Sequence, residues 1–112
     1  MADTASEILE KWREHIPPEV PKEDVEKVVE AYFPGLYQYP EGKGSHWLRV
    51  SDPVLKMLQE KGFDTGTLGG VLSFSHTKGR RVKQYLVKNL VDAITLKEEW
   101  NKLPEQQKGR QK

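Results

Sequence analysis

The sequence predicts an α+β fold in which a three-stranded antiparallel sheet packs against helices, with an extra helix at the N-terminus. Three observations point there. Apolar residues recur at helical spacing within 4–16, 25–33 and 82–94; aromatic and β-branched runs occur near 36–39, 45–50 and 71–74; and proline or glycine separates most of these segments. At 112 residues the chain has length for one domain, not for two with independent cores.

The first helix spans Thr4 to Ile16, with Ile8, Leu9, Trp12 and Ile16 on one face and Thr4 or Ser6 as its cap. His15-Ile16-Pro17-Pro18 ends it, since proline removes a donor and restricts its predecessor. The short, stiff Pro17-Pro18 connection favours packing of this helix on its own chain. A second helix starts near Pro21, with Glu23 and Asp24 in its first turn and Val25, Val28, Val29 and Tyr32 or Phe33 as its apolar stripe; Pro34-Gly35 stops it. Leu36–Tyr39 and Ser45–Val50 read as a hairpin around the turn Pro40–Gly44. Asp52 then caps a short helix over 53–61 with Pro53 in its first turn and Gly62 closing it. After the loop 64–70 comes a third strand, Val71, Leu72 and Phe74, ending at Ser75-His76, and a turn at Thr77-Lys78-Gly79. The last long helix carries Val82, Tyr85, Leu86, Asn89, Leu90, Ala93 and Ile94 at the 3.6-residue period, and Thr95 is expected to cap a final short turn, LKEEWNKL. The polar tail 104–112 is expected to be disordered.

No apolar run approaches the ~20 residues of a spanning helix. The opening MADTASEILEKWRE is acidic and polar, so neither a membrane segment nor a secretory signal is expected. The absence of cysteine excludes disulfides, thiolate metal sites and cysteine nucleophiles, and agrees with a cytoplasmic location. The net charge of +1 hides a gradient: residues 1–30 carry nine acids and four bases, residues 76–112 ten bases and four acids. The basic end suits a polyanionic partner, the alternative being two ordinary solvated surfaces.

Three histidines are the side chains whose ordinary titration falls near neutrality. His15, beside the first helix's apolar stripe, reads as structural. His46 follows Gly44-Ser45 and opens a strand with Trp47 and Arg49; His76 ends the third strand and leads into basic residues. No HxH or HExxH pattern, Walker loop, Rossmann fingerprint or G-x-S-x-G elbow occurs, so neither a metal nor a cofactor is expected. Lys78, Arg80, Arg81, Lys83 and Lys88 fall within eleven residues without an intervening acid, around a helix start whose N–H groups favour phosphate.

The ordered combination of VEKVVEAYF, Gly44-Ser45-His46 opening a strand, strand-His76-turn-basic residues, VKQYLVKNLVDAI and TLKEEW resembles the HicA toxins, small mRNA interferases with a fold like the double-stranded-RNA-binding domain. The resemblance spans roughly 22–103. It divides the chain into an N-terminal extension (1–20), a HicA-like domain (21–103) and a basic tail (104–112). It implies RNA as ligand, a HicB-like antitoxin as partner, and His46 as the catalytic residue of a metal-independent endoribonuclease. Ser45, Trp47, His76, Lys78, Arg80, Arg81 and Lys83 become the RNA-binding residues, with Lys78, Arg80 or Arg81 on the phosphate and Trp47 either stacked on a base or part of the core. Two features depart from the family: Arg49 stands where members place an aromatic, and 51–70 holds an insertion. Both favour the alternative, a non-catalytic module that keeps the fold and binds RNA or protein. Gly42–His46 with Val54-Leu55-Lys56 is weakly similar to the Smr nuclease domain, whose upstream motif is missing.

Overall fold

The computed structural model describes residues 4–40, 46–63 and 69–103. Four helices and five strands follow one another as α1 (Ala5–Glu14), β1 (Glu19–Pro21), α2 (Lys22–Tyr32), β2 (Tyr37–Gln38), β3 (His46–Ser51), α3 (Pro53–Glu60), β4 (Val71–Ser75), β5 (Arg81–Lys83) and α4 (Gln84–Lys102). The expected antiparallel three-stranded sheet is present, in the order β2-β3-β4. The expected turn at Pro40–Gly44, the loop 64–70 and the tail 104–112 fall wholly or mostly outside the described residues.

Local chemistry explains most boundaries. Thr4 and Glu7 form a capping box on α1: the Thr4 hydroxyl accepts from the Glu7 N–H, and the Glu7 carboxylate accepts from the Thr4 N–H. Pro21 stands one position earlier than expected, as the N-cap of α2. Asp52 caps α3 by accepting from the N–H groups of Val54 and Leu55, with Pro53 at the first helical position.

The core is continuous. Ile8, Leu9 and Trp12 of α1 bury against the same cluster as Val25, Val28 and Val29 of α2, Leu48 and Val50 of β3, Leu72 and Phe74 of β4, and Val87, Leu90 and Ile94 of α4. The N-terminal helix thus packs on its own chain. Leu48 and Val50 pair with Phe74 and Leu72 on the covered face of the sheet, leaving Arg49 and Ser51 exposed on the other.

Three expectations need correction. Val82 belongs to a strand, not to the last helix: β5 pairs with β1 in a second, two-stranded antiparallel sheet, Val20 opposite Val82. Tyr85 leaves the apolar stripe, because the buried face of α4 centres on Val87, Leu90, Val91 and Ile94, and at about 100° per residue Tyr85 falls on the side away from it. Thr95 caps nothing, since α4 continues through it to Lys102. No glycine or proline interrupts this stretch, and Lys97 holds it in place. Its ammonium bonds the buried Asp52 carboxylate at 2.6 Å and lies over the Phe33 ring at 4.6 Å.

Candidate nucleic-acid interface

The register of the main sheet gathers most of the expected site at one end. His46 lies opposite Ser75, so β3 begins where β4 ends, beside His76 and the basic turn. A bulge lies between His46 and Leu48, setting two residues of β3 against one of β4. It re-aims Trp47 toward the helices. The indole N–H donates to Glu26 at 2.8 Å, the Lys22 ammonium stands over its ring at 5.6 Å from the centroid, and Phe74 and His76 meet it edge-on. Trp47 is therefore half-buried, packed against the core and tied to α2 and β4 by these contacts.

His76 is exposed, with its ring centroid 5.2 Å from that of Trp47. Its Nδ1 lies 2.8 Å from the Thr77 carbonyl oxygen, and because a carbonyl can only accept, Nδ1 donates this hydrogen bond. His46 is exposed too, and among the described residues no hydrogen bond or ion pair orients its ring. Ser45 lies outside the described residues.

From Thr77 to Arg81 the chain makes a tight reversal. The Arg80 N–H bonds the Thr77 carbonyl at 2.9 Å, and the Thr77 N–H bonds the Arg81 carbonyl at 2.8 Å. Arg80 takes the left-handed position that closes such a three-residue loop, with φ 59°, although glycine stands immediately before it. Lys78, Arg80, Arg81 and Lys83 are all exposed. None forms a salt bridge among the described residues, whereas Arg13 pairs with Glu10 and Glu98, Lys88 with Asp92, and Lys97 with Asp52. The unneutralised cations are concentrated on this turn and strand.

Sequence reasoning misses Lys22. It sits in the acidic third of the chain, yet the β1–β5 pairing brings its backbone N–H to the Arg80 carbonyl at 3.1 Å, and its ammonium reaches Trp47. Only the long-range pairing of Pro21 with Arg81 carries that signal. Lys88 lies one helical turn and more beyond the patch, bonded to Asp92, and Arg49 occupies the opposite, open face of the sheet. Nearby, burial and the Glu30 carboxylate raise the pKa of Tyr39, whose hydroxyl donates to that carboxylate, so this phenol stays neutral. Among the described residues no three His, Asp or Glu side chains gather to hold a metal ion.

No family model, curated protein or solved structure matches this chain.

Proposed function

We propose that the chain is an RNA-binding domain of HicA type that grips the phosphate backbone through the β4–β5 turn and cleaves RNA through His46. One observation carries the reading: Lys78, Arg80, Arg81 and Lys83 are exposed and unneutralised beside His76, at the sheet end where His46 begins β3. Such a cluster gains by exchanging counterions for phosphates. The succession of α2, β2, β3, β4 and α4 supports the double-stranded-RNA-binding-domain likeness, with α3 as an insertion between the second and third strands of the sheet.

In this reading His46 takes the proton from a ribose 2′-hydroxyl. The 2′-oxygen attacks phosphorus, the bond to the 5′-oxygen breaks, and the proton taken by His46 is returned through water to that oxygen, giving a 2′,3′-cyclic phosphate and a 5′-hydroxyl. Arg80 and Lys78 offset the charge that develops on the phosphoryl oxygens. A second reading, binding without cleavage, is favoured by Arg49, exposed on β3 where the family places an aromatic, and by α3 inserted between β3 and β4.

Arg80→Gly/Arg81→Ala tests the interface, glycine being chosen because it accepts the left-handed backbone at 80. RNA affinity is expected to fall and the slope of log K against log salt to become shallower by roughly 1.5, as two phosphate contacts are lost. An unchanged affinity and slope would remove the patch from the reading. His46→Ala is expected to abolish cleavage with little change in Tm, while EDTA leaves the wild type active. Wild-type binding without cleavage would establish the second reading.

A further inference from the structure

Trp47 is half-buried and hydrogen-bonded to Glu26, whereas another aromatic stands far more open to solvent. Tyr85, the second residue of α4, is 61% exposed, although its place in the apolar period would lead one to expect burial. It borders a cleft of about 590 Å³ between the end of α1 and the start of α4, floored by Trp12, Ile16 and Val91. That is within the roughly 300–1,000 Å³ of ligand sites. The cleft wall is held rigidly. The Gln84 side chain donates to the Ile16 carbonyl at 2.6 Å, and the Gln84 N–H to the Pro18 carbonyl at 2.9 Å, which ties the start of α4 to the segment after α1.

At the rim Arg13 pairs with Glu10 and Glu98 and Lys88 with Asp92, while Glu14 adds a further carboxylate, so the cleft itself does not attract phosphate. The unneutralised Arg81 and Lys83 stand immediately upstream of Tyr85 on the same continuous stretch of backbone, β5 running into α4 without a loop. A strand whose phosphates lie on β5 is thus led past an exposed aromatic ring beside a hollow with an apolar floor and a polar rim.

We propose, resting on the RNA-binding reading above, that Tyr85 and this cleft receive one unstacked base, and that the preferred ligand is single-stranded RNA rather than a duplex. Stacking on an aromatic ring requires a base released from its helix, and it is indifferent to salt because it involves no charge.

The test measures anisotropy of end-labelled RNA octamers with 2′-O-methyl riboses, which bind but cannot be cleaved, as single strands and as the corresponding duplex. Tyr85→Ala is expected to weaken single-strand binding about tenfold with an unchanged salt slope and to leave duplex binding as it was, while Tyr85→Phe stays within about twofold of the wild type. Equal single-strand affinity for wild type and Tyr85→Ala, or an equal loss on both ligands, overturns the proposal. Arg80→Gly/Arg81→Ala is measured in parallel. If it weakens binding and Tyr85→Ala does not, the stacking site falls and the basic interface stands; if neither has an effect, the RNA reading falls with it.

Discussion

Arg80 pays for its position with backbone strain. A side chain at φ 59° costs of order 1–2 kcal/mol relative to right-handed backbone, and Gly79, one residue away, would have been the cheaper occupant. Strain of this kind persists where the side chain is needed. Arg80→Gly is therefore expected to raise unfolding free energy by up to about 1 kcal/mol, the relief being partly offset by the greater freedom of glycine in the unfolded chain, while RNA affinity falls. Urea unfolding and an RNA titration on the same variant check the pair; a loss of both would show that the arginine also packs. Asp52 illustrates the opposite arrangement. Its fully buried carboxylate is satisfied by two helix N–H groups and by Lys97, so the charge serves the fold rather than a ligand.

At the scale of elements, α1 decides whether the N-terminal residues decorate the domain or complete it. Leu9 is 1% exposed and belongs to the common cluster, so Leu9→Ala is expected to cost about 2–5 kcal/mol in urea unfolding; a cost below about 1 kcal/mol would mean that α1 is docked and not integrated. The helix is legible in the sequence because its cap, its stripe and its proline stop agree. So is α3, through Asp52-Pro53, and so are β3 and β4, through their alternation. β1 and β5 are not. Three residues are too few to display a period, Pro21 argues against a strand, and the partner of Val20 lies at Val82. Missing that pairing places Val82 in α4 and so draws the apolar stripe of the helix through Tyr85 instead of through Val87 and Val91. The basic turn is legible because its cations lie within six residues, 78–83; Lys22 is hidden by the same missed pairing, and the placement of Trp47 by a bulge that alternation alone does not reveal.

The molecule as a whole carries one core, reached by all four helices and both sheets. Unfolding is accordingly expected to be a single cooperative transition. Trp12, Trp47 and Trp100 sit in α1, β3 and α4, so variants keeping one tryptophan each, with phenylalanine at the other two positions, report on three distant regions. Within each variant, the fluorescence midpoint in urea should coincide with the midpoint by circular dichroism. A Trp12 transition preceding the others would mark α1 as a separate unit. The charge gradient has a molecular meaning as well: neutralisation is local at Arg13, Lys88 and Lys97 and absent at the β4–β5 turn, so a net charge of +1 coexists with a strongly polarised surface.

The pairing of β1 with β5 also imposes an order of events during synthesis. Val20 leaves the ribosome about sixty residues ahead of Val82, and until the later strand emerges β1 has no ladder and Lys22 no carbonyl at Arg80 to fix it. The arginines of the turn are translated well after β1 and are organised only when β5 pairs with it. The acidic segment therefore emerges first, and the basic turn becomes ordered only after β5 has followed it.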